Sequence, residues 1–397
     1  MSGSASSNST LRVVVTGFIG QHPVGGVTWD YVQYVLGFHR LGHDVYYLED
    51  TGEWPYNPDG TGGADWVVGD CSANVRHLEQ VMERFGLGGR WAFRCPIGPS
   101  WAGLSDRKRK EVLESADLLI NVSGSLAYPQ RYRDVKRLVY IDSDPVFTQI
   151  KLAQGRRKFR ERVDLHDVYF SFGERLGKRV PPTGHRWLST RQPIVLTEWR
   201  PGGPHRETFT TVMNWASYDA LSYNGQTYGQ KSAEFRRFLD LPRLVAPTQL
   251  EVAVRRTRRR KKPSAPLERL ERKGWYIVDP NHACAGLDGY RDYVETSKGE
   301  WSVAKNGYVI GRPGWFSCRS ACYLASGRPV VVEDTGFGEV LPLGDGLLTF
   351  CTAEEAAGGI RAVEADYEHH AEAARTIAED HFDSDRVLTK LLEEALP

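Results

Sequence analysis

The run Gly311-Arg312-Pro313-Gly314-Trp315-Phe316-Ser317-Cys318-Arg319 carries the residue types that hold a phosphate. A glycine-bearing loop enters a helical pattern, so free backbone N–H groups and the positive end of a helix point at one spot. Arg312 and Arg319 would add guanidinium charge there, and Ser317 a hydroxyl. In the plainer reading Gly311 and Gly314 only shape a turn. A few residues later Pro329-Val330-Val331-Val332 ends in Glu333, Asp334 and the turn Thr335-Gly336-Phe337-Gly338. Carboxylates accept hydrogen bonds from sugar hydroxyls, and the Gly336 amide can donate to sugar or diphosphate oxygens. The phosphate loop and the carboxylate turn together are a more specific signal than either alone.

Further candidates lie upstream. Between Ala216 and Phe235 runs a long, Tyr-rich stretch expected to be a functional strand-to-helix loop. It follows Asn214 and contains Tyr223, Asn224, Gly225, Tyr228 and Lys231. Lys231, near the start of a helix, would neutralise a diphosphate or simply be solvated. Ser302, Lys305 and Asn306, in a second unusual stretch, are expected nucleotide or phosphate contacts.

The elements that must position these groups read as alternating strands and helices. Leu11–Thr16 is a short apolar run of the buried-strand kind, followed by a glycine-rich loop with Gly17, Gly20, His22, Gly25 and Gly26. Thr28 is expected to cap the next helix, and Val45–Leu48 returns as a strand. Ala116–Val122, Leu138–Ile141 and Val168–Ser171 repeat the pattern and imply a doubly wound parallel sheet. Their ends carry Asn121, Ser123, Asp142 and Asp144, where open α/β sheets place ligands. A second series starts at Phe209–Trp215 and continues through Leu250–Val254, Trp275–Val278 and Pro329–Glu333. The predicted organisation is a disordered tail (1–10), an N-terminal Rossmann-like domain (11–192), a Pro/Gly-rich linker (193–208), a C-terminal Rossmann-like domain (209–382) and an amphipathic C-terminal helix (383–397).

Composition narrows the function class. The 397 residues suffice for two domains, and 41% hydrophobic with 25% charged residues is globular composition. A net charge of +1 offers no global field for nucleic acid, and no apolar stretch is long enough for a membrane span. The basic run 255–262 lacks interleaved aromatics, so it reads as a solvated loop. The six cysteines show neither zinc spacing nor a disulfide framework, which fits a reducing cytoplasm. No metal and no cofactor is expected, and the chain reads as a monomer or homodimer. Trp29, Trp54, Tyr56, Trp66, Trp91 and Trp101 hint at a ring-bearing acceptor, although large aromatics serve equally as core. Thr16-Gly17-Phe18-Ile19-Gly20 invites a dinucleotide reading, with Glu49 and Asp50 as the ribose acid, but Pro23 stands where the third glycine belongs.

The run Gly314 to Pro342, GWFSCRSACYLASGRPVVVEDTGFGEVLP, resembles the donor-binding segment of GT-B glycosyltransferases. The N-terminal TGFIGQHPVGGVTWDYVQYVLGFHRLGHDVYYLED is similar to their opening unit. The resemblance implies two Rossmann-like domains facing across a cleft, and transfer of a sugar from a nucleoside-diphosphate donor to a small acceptor. On that pattern Asn214, Tyr223, Lys231, Ser302, Lys305, Arg312, Gly314, Ser317, Arg319, Asp334 and Gly336 belong to the donor side. Gly25, Gly26 and Ser123 belong to the acceptor side. Many retaining members carry two spaced glutamates here, and Gly314 and Cys322 stand at those places, so no retaining mechanism is carried over. In several inverting members a histidine after the first strand is the general base, and His22 matches it. An acid to orient it is missing near Asn121, which leaves Asp142 and Asp144 as substitutes. A nicotinamide-dependent epimerase or dehydrogenase, and a catalytically inactive partner protein, are the competing readings.

Overall fold

The computed structural model describes residues 10–57, 70–97, 100–202, 206–255 and 264–397. Nearly all of the expected N-terminal tail and of the basic run, Trp66, and residues 203–205 of the linker lie outside the described residues.

The first sheet contains β1 (Arg12–Thr16), β2 (Asp44–Glu49), β3 (Trp91–Arg94), β4 (Trp101–Gly103), β5 (Leu118–Val122), β6 (Leu138–Asp142), β7 (Val168–Ser171) and β8 (Trp187–Ser189). Their order is β4-β3-β2-β1-β5-β6-β7-β8, parallel except for the antiparallel β3–β4 edge. Val13, Val14 and Val15 are all buried, as a central strand covered on both faces requires. The second sheet contains β9 (Thr208–Val212), β12 (Gln249–Ala253), β13 (Tyr276–Val278), β14 (Gly299–Ser302), β15 (Val330–Glu333) and β16 (Leu347–Phe350); a separate hairpin is formed by β10 (Leu221–Tyr223) and β11 (Gln226–Tyr228). Its order, β13-β12-β9-β14-β15-β16, is the doubly wound one, with the switch point between β9 and β14. The chain thus consists of two Rossmann-like parallel-sheet halves.

One apolar cluster runs through both halves, from Val13 and Ile120 to Tyr290, Cys322 and Val332. Close backbone approach makes this joint. A Cβ on Gly25 would overlap the Gly286 carbonyl oxygen and Tyr290, and one on Gly26 would lie 2.9 Å from the Tyr290 ring. The connection is not a free linker: Ile194, Val195 and Trp199 are buried, and the Trp199 indole donates to Gln33 at 3.0 Å. The chain returns beside it, Ile194 bridging Asp383, before helix Ser384–Ala395 packs Leu388 over Gly37 of helix Gly25–Arg40.

Three local expectations change. Thr28 lies inside helix Gly25–Arg40, its hydroxyl donating to the Val24 carbonyl, so it does not cap. The Tyr-rich stretch contains the β10–β11 hairpin, turned at Asn224 (φ 48°) and Gly225 (φ 78°). Cys71 and Cys95 form a disulfide with a Cα separation of 6.0 Å. With that bond the cysteines no longer argue for a reducing compartment. Among the described residues no helix is long and apolar enough to cross a membrane.

Candidate functional site

The strand ends of the second sheet and helix Cys318–Ala325 converge on a narrow pocket lined by Ser302, Ser317, Arg319, Ser320, Glu333 and Thr335. Ser317 is the N-cap residue, but its side chain makes no capping bond, so the helix N-terminus keeps donors for a ligand. Arg319 is anchored, bonding Glu300 at 2.5 Å and the Val212 carbonyl at 2.8 Å. Lys231 opens the short helix Lys231–Phe235, among Arg319, Glu300, Lys305 and Glu333. It makes no ion pair or hydrogen bond among the described residues. Burial, and then the charge of Arg319, push its pKa well below the ordinary lysine value. An anion bound here would relieve both.

Glu333 ends β15 and accepts from the Ala304 amide at 3.0 Å and from Arg237 at 3.3 Å. Its neighbour is Glu234, which accepts from Asn306 at 2.6 Å and Arg237 at 2.5 Å. Burial, and then Glu234, push Glu333 up to about 9, so this carboxyl pair holds one proton at neutral pH. Glu234 had no place in the sequence reading. Its only signal was its position one turn beyond Lys231.

Arg312 takes a different role from the expected one. It has left-handed φ (44°), and its guanidinium pairs with Asp334 at 2.6 Å, while Asp334 also accepts from the Gly336 amide at 2.7 Å. Arg312 lines a second cavity rather than the pocket around Arg319. Gly314 (φ 75°) donates to the Thr335 carbonyl at 2.9 Å, tying the loop to the carboxylate turn.

In the first half, Asp142 is buried and accepts from Thr148, Gln149, Ser171 and the Asp144 amide. Four donors make it an anchor for its loop. Asp144 accepts from Lys305 at 2.7 Å, Tyr218 at 2.5 Å, and Tyr308. Burial acts to raise its pKa, but Lys305 and Lys151 outweigh it and hold the carboxyl below its ordinary value. Its expected pairing with His22 is not the one formed. His22 is half-buried between the rings of Phe18 and Tyr56, at 5.8 and 5.9 Å.

Ser123 (φ 59°) bonds Ser143 at 2.6 Å at the mouth of the first sheet. Gly25 and Gly26 serve the joint between the halves. Asn214 is exposed beyond β9, and Tyr223 is in the hairpin, packed on the cluster around Phe147 and Tyr308. Trp29 and Trp91 are core, while Trp54 stays 54% exposed. The acid expected for a dinucleotide ribose is engaged, since Glu49 accepts from the Gly20 and Gln21 amides at 2.7 Å each. Among the described residues no three His, Cys, Asp or Glu side chains are grouped to hold a metal ion.

The two parallel sheets, the double crossing of the chain between them and the meeting of their strand ends at Asp144 and Lys305 define the two-domain GT-B fold. Neither a protein-family model nor a curated protein sequence matches the chain. Solved structures do. An α-glucosyltransferase in complex with UDP and a DNA 13-mer is 12% identical, with TM-score 0.58 over 97% of this chain and 99% of that one. HepE of Anabaena in complex with UDP is 13% identical, with TM-score 0.58 over 97% and 99%. Sucrose-phosphate synthase of Thermosynechococcus elongatus is 11% identical, with TM-score 0.55 over 97% and 98%.

Proposed function

We propose that the chain is a glycosyltransferase that moves a sugar from a nucleoside-diphosphate donor to a small acceptor. The observation that carries this reading is the open N-terminus of helix Cys318–Ala325, with Arg319 in its first turn and the unpaired Lys231 within electrostatic reach of Arg319. One unpaired ammonium, a guanidinium already matched by Glu300, and the free amides of a helix end suit a diphosphate, which also needs its charge stabilised as it leaves. Glu333 shares its proton with Glu234, so the carboxyl pair adds less negative charge beside a bound diphosphate than two carboxylates would. The fold's solved counterparts include UDP complexes, which favours UDP as the nucleotide.

In the reaction the acceptor oxygen bonds to the anomeric carbon while that carbon's bond to the diphosphate oxygen breaks. The electron pair leaves with the nucleoside diphosphate, and the hydroxyl proton passes to a base. His22 is the base we propose, with inversion at the anomeric centre, because its loop follows β1 at the mouth of the first sheet. The nicotinamide reading loses support from Glu49, whose carboxylate is spent on the loop amides.

Calorimetry with UDP, dTDP, GDP and NAD tests the class. UDP binding that Lys231→Met weakens by about tenfold or more supports it, the usual effect of losing one charged hydrogen bond. NAD binding with no response to any nucleoside diphosphate would overturn it.

A further inference from the structure

Where the halves meet, apart from the narrow pocket around Arg319, lies a cavity of about 820 Å³. This is an ordinary volume for a small-molecule site. Residues 173–179, Trp187 and Ser189 of the first half form one wall; Gly311, Arg312, Glu339 and Val340 of the second form the other. The walls are bonded together, since the Arg175 amide donates to the Pro313 carbonyl at 2.7 Å and the Arg175 guanidinium pairs with Glu339. Gly311 lies so close to the first half that a Cβ there would be 2.5 Å from Val146.

The lining charges do not balance. Glu174 is matched by Arg191 at 2.5 Å, Glu339 by Arg175, and Arg312 by Asp334. Lys178 and Arg179 also line the cavity and make no ion pair among the described residues. The surplus is therefore two positive charges, beside the partly buried ring of Trp187. A phosphate monoester carries up to two negative charges near neutral pH and offers several acceptor oxygens. The pair Arg312–Asp334 joins this cavity to the Gly336 turn, which follows Glu333 at the end of β15.

We infer that this cavity is the acceptor site and that the acceptor is a small phosphate monoester, its phosphate held by Lys178 and Arg179. The acceptor role rests on the glycosyltransferase reading; the phosphate preference rests on the cavity alone.

Calorimetry on the full chain tests this with glucose 6-phosphate and glycerol 3-phosphate, against glucose and glucuronate, each with and without UDP. At least one phosphate ester should bind measurably tighter than glucose and glucuronate. Lys178→Gln with Arg179→Gln should weaken that binding by about tenfold or more, with UDP affinity and melting temperature unchanged. Phosphate esters that bind no tighter than glucose, or whose binding ignores the double substitution, overturn the inference. Glucuronate binding as tightly overturns the choice of phosphate. UDP that fails to bind overturns the donor reading by itself, whereas UDP binding without any phosphate preference overturns only the acceptor inference.

Discussion

Asp144 of the first half and Lys305 of the second meet at 2.7 Å, with the Tyr218 hydroxyl bonded to both, at 2.5 and 3.0 Å. Three aromatic rings surround the ammonium: Phe147, Tyr218 and Tyr308 lie 5.4, 4.7 and 5.3 Å from it. The pair is a latch across the cleft, next to the approach of Gly307 to Phe147. Lys305→Met should strand the carboxylate and cost about 1–3 kcal/mol, between the values for exposed and buried pairs because both side chains are partly exposed. Adding Asp144→Asn should recover much of that loss. A urea-denaturation cycle measures it, and strictly additive losses would mean that the pair is not coupled.

Lys231 leads to a pH effect on ligand binding. Its pKa is depressed by burial and by Arg319, so part of the free protein has it neutral as pH rises. A diphosphate prefers the charged form, so binding should take up a proton and weaken as pH rises through that depressed value. UDP titrations in two buffers of different ionisation enthalpy will show the uptake. In Lys231→Met it should vanish; uptake that persists would put the proton on another group.

Much of the fold was legible because its central strands are short apolar runs. β1, β2, β5, β6 and β7 fall within about two residues of the expected bounds. β14 was not legible as a strand, since Gly299-Glu300-Trp301-Ser302 has a carboxylate in its middle. Glu300 is fully buried there only because Arg319 neutralises it. The hairpin carried a readable signal, Asn224-Gly225, that the loop reading passed over. The nearness of Ser317 and Arg319 at one helix start was legible because a loop feeding a helix is local. The pairs Asp144–Lys305 and Glu234–Glu333 join residues on different elements, and Arg312 was read toward phosphate because Asp334 lies a whole helix and strand away in sequence. No local pattern reports such contacts.

Glu333 makes a stability prediction with a definite sign. Its carboxyl ionises at 4.5 ordinarily and at about 9 in the fold, raised first by burial and then by Glu234. The folded state therefore binds more protons between those values, so stability is full below about 4.5 and is lost as pH rises toward 9. Glu333→Gln keeps the shape of the neutral acid but cannot ionise. Melting temperatures from pH 5 to 9 should fall less steeply in Glu333→Gln than in the parent. Identical slopes would mean that the pair releases its proton elsewhere in the titration.

The glycines after β1 separate two roles. If Gly25 and Gly26 line an acceptor site, alanine there should raise KM and leave the fold alone. The packing says otherwise: a Cβ on Gly25 overlaps backbone at Gly286 and the Tyr290 Cβ, neither of which can rotate away. A Cβ on Gly26 meets only the Tyr290 ring edge at 2.9 Å, which a small ring movement relieves. Overpacking of a tight interior typically costs about 1–3 kcal/mol, so Gly25→Ala should lose at least that much in urea denaturation. Gly26→Ala should lose clearly less, although both are glycine-to-alanine changes in the first turn of one helix, where the intrinsic effect favours alanine by about 1 kcal/mol. The order of the two losses is therefore set by the joint between the halves and not by helix propensity. Equal, small losses with a raised KM in both variants would return these residues to the acceptor.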